Sequence, residues 1–368
     1  MIKVLFFIHD LGPGGAEKVL VNLANNLDKQ KFDVTILSLF DEGINKQYIQ
    51  KDVHYKYVFK KMFRGNSHLL KLFSPEALHK LFIKDTYDIE IAFLEGPCSR
   101  IISGCKNKKT KLISWIHIQQ FNSRKAAVSF RTFKEALSCY NKFDVINCVS
   151  EGVKNDFLKI MPVNTIVNVL YNVVDTDQIL EKSKNRTTFE FQSDKIKLVA
   201  VGKLLKSKGF DKIVNIVYRL KQENINVDAF FLGDGPEKSS IKRMISDFSL
   251  HDNIHLLGYQ SNPYKYIANC DLFICASERE GFSTATTEAL ILGLPVCSLN
   301  VAGMKEMLGE NNEFGIIVDS VDELYDEVKK MVTNTHRLNY YKDLAKERGK
   351  MFVKTTTLKK IESLLENL

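Results

Sequence analysis

The residues best suited to chemistry lie in the stretch SEREGFSTATTEALILGLPVCS, residues 277–298. The apolar run Leu272-Phe273-Ile274-Cys275 reads as a strand leading into it. Ser283 or Thr284 then caps a helix that continues through Glu288 and Leu290 and stops at Gly293, ahead of Pro295. One carboxylate, Glu280, stands in the loop before the helix, and a second, Glu288, stands about one turn inside it. Between them Gly281 and small hydroxyl residues leave backbone N–H groups free at the positive end of the helix dipole. Such a terminus binds phosphate, and flanking carboxylates accept hydrogen bonds from sugar hydroxyls. Either glutamate alone is explained by the preference for acids at a helix start. The spaced pair, with its glycine and small-residue setting, suits a ligand carrying phosphate and sugar together, as a nucleotide-sugar does. A second loop, Gly202 to Gly209, places Lys203 and Lys208 five residues apart after a strand end, a spacing that suits straddling a diphosphate. Taken alone, a lysine-rich loop is an ordinary solvated turn.

The stretch resembles the E-x7-E signature of the retaining glycosyltransferases of family 4, which have the GT-B fold, with Glu280 and Glu288 at the two signature positions. The resemblance extends along nearly the whole chain. It implies that Glu280 lies at the donor sugar and Glu288 at the nucleotide ribose, with Gly281, Phe282 and Ser283 also binding the donor. The Gly202–Gly209 loop is similar to the family's G-R-x4-K-G loop, which neutralises the leaving diphosphate. Lys203 here replaces the usual arginine, keeping the charge but losing the bidentate fork. Gly233-Asp234-Gly235-Pro236 resembles a turn at the base pocket, and Tyr259 after Gly258 the position of base recognition. In the first half, Gly14-Gly15-Ala16-Glu17 resembles the family's first glycine loop. His117 stands where similar proteins place a histidine near the reacting carbon; a lone histidine past a strand is as readily a structural hydrogen bonder. Asp175-Thr176-Asp177 spells D-x-D, but at a corner resembling the family's interdomain N-G-V-D, so no metal is assigned there.

The elements that must position these residues alternate strand and helix twice over. The first series starts with a strand over 3–8, a glycine loop and a helix over 16–27, and continues with strands over 33–39, 53–58, 88–93, 111–115 and 144–149. The second has strands over 197–201, 227–232, 254–257, 271–275 and 295–298, with helices over 210–221 and 237–248. The expected architecture is α/β: two Rossmann-like domains facing a central cleft, with the last helix returning to the first domain. The N-terminal domain spans 1–175 plus about 355–368 and binds the acceptor. The C-terminal domain, 176–354, binds the nucleotide-sugar, and the polar stretch from Glu181 to Lys195 serves as linker. Glu327, Lys330, Lys342 and Lys346 read as solvated helix faces.

A chain of 368 residues is long enough for two cores, and its composition, 45% hydrophobic and 26% charged, excludes a disordered or fibrous class. No apolar window reaches the length of a membrane span, and no signal-peptide pattern precedes the first strand. Seven cysteines without a C-x-x-C read as buried reduced thiols of a cytoplasmic protein. The charge is lopsided: residues 1–175 hold 25 Lys+Arg against 17 Asp+Glu, so the net +8 of the chain belongs to the first half. Residues 56–84 interleave Lys56, Lys60, Lys61 and Arg64 with Phe59, Phe63 and Phe73, which suits an anionic membrane surface. The competing reading is a core-packing helix with a solvated lysine face. The basic half points to a membrane or a phosphorylated acceptor rather than nucleic acid.

The function expected from the resemblance is retaining, metal-independent transfer of a hexose or N-acetylhexosamine from a UDP-sugar. The acceptor is a lipid-linked or oligosaccharide glycan of bacterial surface-polysaccharide assembly. No cofactor is expected beyond the donor, and the protein would be cytoplasmic, peripheral on the membrane's inner face. The alternatives are a sugar-nucleotide epimerase, a phosphorylase, or a catalytically silent subunit that binds nucleotide-sugar.

Overall fold

The computed structural model describes residues 1–191 and 195–368. The chain divides into two compact units, Met1–Val173 together with Lys354–Leu368, and Val174–Val353. Each is built on one parallel sheet. The first sheet holds β1 (Ile2–Ile8), β2 (Phe32–Phe40), β3 (His54–Phe59), β4 (Ile89–Ala92), β5 (Lys111–Ile116), β6 (Val145–Cys148) and β7 (Ile166–Val169), in the order β3-β2-β1-β4-β5-β6-β7. The second holds β8 (Ile196–Val201), β9 (Val227–Leu232), β10 (Ile254–Gly258), β11 (Leu272–Cys275), β12 (Val296–Leu299) and β13 (Ile316–Val318), in the order β10-β9-β8-β11-β12-β13. Strands covered on both faces read as continuous apolar runs, and β1, IKVLFFI, is buried from Val4 onward. In both sheets the strand order reverses direction at a central strand, β1 in the first and β8 in the second. There successive connections leave to opposite sides and the loops beyond the strand ends part, which is where open α/β sheets bind ligands.

In the second unit the helix Phe210–Gln222 buries Phe210, Ile213, Val214, Ile216, Val217 and Leu220, a helical stripe laid on the sheet. The helix Thr284–Ile291 is enclosed on all sides, its residues from Thr286 to Ile291 all buried. One wall is the helix Thr335–Lys350, brought to van der Waals contact by Gly349: a Cβ there would stand 2.3 Å from the carbonyl oxygen of Leu290. The Arg348 guanidinium beside it donates to the carbonyl of Met307 at 2.8 Å. The helix that carries Glu288 is therefore gripped, not merely tethered.

In the first unit the stretch 56–84 is not one helix. It leaves β3, turns, and forms two short helices, Asn66–Leu72 and Pro75–Phe82. Arg100, 1% exposed, holds the turn between them by donating to the carbonyls of Leu70 (2.8 Å) and Phe73 (2.7 Å) while paired with Glu135. Phe59 and Phe63 pack inward, edge to face with each other at 5.5 Å, and Phe59 meets Phe82 at 5.6 Å. Lys56 is tied to Asp85 at 2.6 Å. Left exposed are Leu69, Leu72, Phe73 and Leu81, with Lys60, Lys61 and Arg64. The helix Lys354–Asn367 belongs to this unit, burying Ile361 and Leu365 and pairing Glu366 with Lys31 at 2.7 Å.

The stretch expected to be a polar linker is more structured than its composition suggests. Its first residues close a helix, Thr176–Ser183, capped by Asp175, and Phe189 and Phe191 pack on Phe230 at 5.2 and 4.9 Å. Residues 192–194 of that linker lie outside the described residues. Glu327 and Lys342 are not simply solvated either: Glu327 pairs with Lys330 and Arg337, and Lys342 with Asp271 at 2.9 Å. All seven cysteines are free, and only Cys105 is not buried.

Candidate active site

In the second unit the carboxyl ends of β10, β9 and β8 carry Gly258, Gly233 and Gly202 side by side. The Gly233 N–H donates to the Gly258 carbonyl at 2.8 Å, and the Gly202 N–H to that of Leu232 at 3.0 Å. A Cβ on Gly233 would stand 1.8 Å from the Gly202 oxygen, so the middle of these three positions admits no side chain. Tyr259, 40% exposed, follows directly. Asp234 folds back on the N–H of Gly235 and pairs with Lys238 at 2.7 Å. That hydrogen bond, first of all, holds its carboxyl below the usual range.

The loops after β8 and β11, neighbouring strands at the reversal point, are locked together. The first passes exposed Lys203, makes a tight turn over Lys206–Lys208 and enters the long helix at Gly209. Gly209 has φ +66°, and a Cβ there would lie 2.1 Å from the Ala276 carbonyl oxygen, so the loops meet backbone to backbone. The Glu278 N–H donates to the Ser207 carbonyl at 2.8 Å. Across this seam the Lys208 ammonium pairs with Glu280 at 2.7 Å, and Lys212 with Glu278 at 3.0 Å. Burial acts to lower the Lys208 pKa, but the charge of Glu280 and the hydrogen bond to it outweigh burial and raise it. The site therefore presents a fixed cation beside a nearly buried carboxylate.

Ser283 caps the next helix, its hydroxyl accepting from the Thr286 N–H, while the Thr287 hydroxyl donates to the Ser283 carbonyl at 3.0 Å. Glu280 is 8% and Glu288 4% exposed. The loop after β12 closes over Gly281, whose carbonyl oxygen would be 2.5 Å from a Cβ on Gly303. The Phe282 ring is buried, its centroid 6.4 Å from that of Phe352. The Lys212–Glu278 pair was not foreseen; its one signal is that Lys212 follows Lys208 by a helical turn.

The first unit carries the remaining candidates. Gly14 precedes and Gly15 begins the helix Gly15–Asn26 at the end of β1. The entering loop is braced by Asp10, which accepts from the Gly12 N–H at 2.8 Å. His117 follows β5, its backbone N–H donating to Glu95 at 3.0 Å and its ring 4.6 Å from that of Phe93. The ring Nε2 is shut off from solvent without a hydrogen-bond partner in the protein. Leaving such a group unmet costs about 1–3 kcal/mol, which makes this nitrogen a candidate for a ligand contact. Burial pushes the His117 pKa down to about 3, and the imidazole is neutral at physiological pH.

Two family profiles divide the chain between them. The one described as Glycosyltransferase Family 4 matches residues 13–178, and the one described as Glycosyl transferases group 1 matches residues 181–348. With two Rossmann-like sheets beneath them, they place the chain among the GT-B glycosyltransferases. It is 28% identical over 366 residues, 96% of each chain, to the N-acetylgalactosamine-N,N'-diacetylbacillosaminyl-diphospho-undecaprenol 4-alpha-N-acetylgalactosaminyltransferase of Campylobacter jejuni. The fold is similar to that of Anabaena Alr3699/HepE, solved with UDP and glucose, with a TM-score of 0.79 at 18% identity over the whole of both chains. It is also similar to a variant of S. aureus TarM solved with Fondaparinux, alpha-GlcNAc-glycerol and UDP, with a TM-score of 0.77 at 16% identity over 99% of this chain and 100% of that one.

The depressed His117 pKa has a sign that a measurement checks. Unfolded His117 takes up a proton below about pH 6.5, whereas the folded residue refuses it down to about pH 3. Its contribution to stability is complete above pH 6.5 and is lost progressively below. Between pH 7 and pH 5 the wild type should lose about 1–2 kcal/mol more than His117→Asn in denaturant unfolding. Parallel losses in the two proteins would show that the ring is freely solvated.

Proposed function

We propose that this glycosyltransferase retains anomeric configuration and moves a hexose or N-acetylhexosamine from a UDP-sugar to a glycan carried on a lipid diphosphate. The observation that carries the donor half is the Lys208–Glu280 pair, set where the strand order reverses and next to the start of the helix bearing Glu288. Breaking the anomeric C–O bond builds negative charge on the diphosphate. Lys208 is a fixed cation and the N–H groups before Thr286 are dipoles for that charge, with exposed Lys203 a second cation, and no divalent metal is assigned to the step. Glu280 positions the donor sugar, Glu288 the ribose, and neutral His117 the reacting hydroxyls. The three strand-end glycines and Tyr259 receive the base, and Gly14 and Gly15 the backbone approach of the ligand. No side chain is assigned as a covalent nucleophile: attack comes from the leaving-group face, with the donor phosphate accepting the acceptor's proton.

The acceptor half rests on the Campylobacter relative, whose name specifies a diphospho-undecaprenol glycan. Among the described residues no helix is long and apolar enough to cross a membrane. A lipid-linked acceptor is then reached from the surface. The two helices of 66–82 present Leu72 at 73%, Leu81 at 52%, and Leu69 and Phe73 at 44% exposure, with Lys60, Lys61 and Arg64 alongside. Apolar groups that insert among cations that meet headgroups make a peripheral anchor, each cation adding on the order of 1 kcal/mol. Phe59, Phe63 and Lys56, engaged within the unit, are not part of it.

Calorimetric titration of UDP separates the glutamates. Glu288→Gln should weaken UDP about tenfold, the loss of one charge-assisted hydrogen bond to the ribose. Glu280→Gln should bind UDP as the wild type does and turn over labelled donor far more slowly; equal losses of affinity would contradict the division of roles. Sedimentation with anionic vesicles tests the surface. The wild type should pellet at low salt and be released at high salt, while a Leu72→Ser/Phe73→Ser variant should stay in solution. A wild type that remains in the supernatant at low salt removes the membrane reading.

A further inference from the structure

Glu90 is the second residue of β4, near the middle of the first sheet, and it is 2% exposed among the buried apolar residues Ile89, Ile91 and Ala92. A carboxylate in such a place must be matched by other charges or donors. Two side chains from other segments reach it. His79, in the last turn of the helix Pro75–Phe82, brings Nε2 to 2.7 Å from Oε2. Cys105, just after the helix Pro97–Ile102, brings its Sγ to 3.9 Å from Oε1. All three potential ligand atoms lie within 4.8 Å of one another. The backbone fixes this meeting: a Cβ on Gly104 would stand 2.0 Å from the Pro75 carbonyl oxygen, so only glycine lets the turn carrying Cys105 come against the helix carrying His79. The Cys105 N–H closes that turn on the Ile102 carbonyl at 3.0 Å.

We propose that His79, Glu90 and Cys105 form a binding site for a divalent transition ion, with zinc the best match. A thiolate, a carboxylate and a neutral imidazole carry two negative charges, which one divalent ion cancels, leaving no net charge buried beside β4. The mixed nitrogen, oxygen and sulfur donors suit a borderline-soft ion and exclude magnesium and calcium, which take oxygen. Zinc bonds of about 2.0–2.3 Å in tetrahedral array set the ligand atoms roughly 3.3–3.7 Å apart. The thiol and Oε1 are close to that spacing already, and the His79–Glu90 contact must open by less than about 1 Å. Binding releases the Cys105 thiol proton and the proton shared between His79 and Glu90 to solvent. Cys105 is the one cysteine that is not buried, which gives the ion a way in and leaves a fourth position for water. The bound ion would tie the helix Pro75–Phe82 to the first sheet.

The test uses the full-length protein, reduced and stripped with a chelator that is then removed, and titrated with cobalt(II). The expected result is a thiolate-to-cobalt charge-transfer band saturating at one equivalent, displaced by zinc. Since the other six cysteines are buried, that band reports Cys105. It should vanish in Cys105→Ser, a substitution small enough to keep the fold, and His79→Gln should weaken the ion at least tenfold. Zinc should raise the unfolding temperature of the wild type and not of Cys105→Ser. A folded wild type that gives no thiolate band, a band unchanged in Cys105→Ser, or an equal zinc shift in both proteins would overturn the site.

Discussion

The second unit depends on one partly buried charge contact, the 2.7 Å pair between Lys208 and Glu280. Taking both charges from water is costly, and the attraction offsets that cost only when the geometry is held and the remaining groups are satisfied. Several features nearby serve that end. Gly209 lets its loop touch Ala276, the Glu278 N–H ties the same two loops, and Lys212 repeats the pairing one turn on. The pair also leaves the Lys208 ammonium beside a helix terminus and three bare strand ends. Under the proposed function, a diphosphate arriving there would meet a cation whose position is already fixed, so the electrostatic response would need no rearrangement during reaction.

The same sheet rule produces a different outcome in the first unit. The loops past β1 and β5 carry a braced glycine turn and a neutral, shielded histidine whose free ring nitrogen lacks a partner. Beside the two short helices of 66–82 the unit instead carries exposed cations, Lys60, Lys61 and Arg64. Arg100 spends its guanidinium on the carbonyls of the turn between those helices and on Glu135, keeping Leu72 and Phe73 outward.

Much of this was legible in the sequence because parallel strands buried on both faces are unbroken apolar runs, and because Ser283 stands as a cap before the helix that Gly293 ends. Spacing brought out Glu280, Glu288, Lys203 and Lys208, but not the contact between Lys208 and Glu280, which joins loops from two strands that are not consecutive in the chain. Three-residue β13 is too short for any periodicity to register. Phe189 and Phe191 were hidden by the polar residues around them, and whether Phe59 or Phe73 faces solvent is decided by tertiary packing. The meeting of His79, Glu90 and Cys105 was invisible for the same reason: it is made by a glycine contact between segments, not by any spacing.

The most direct measurement is the turnover of a labelled UDP-sugar by Lys208→Ala, in a preparation whose unfolding transition matches the wild type. If the fixed ammonium stabilises the leaving diphosphate, the turnover number should fall by about 100- to 1,000-fold, as for removal of one preorganised oxyanion donor. A variant that turns over within a few-fold of the wild type would contradict the account, leaving Lys208 as no more than the counter-charge that keeps Glu280 buried.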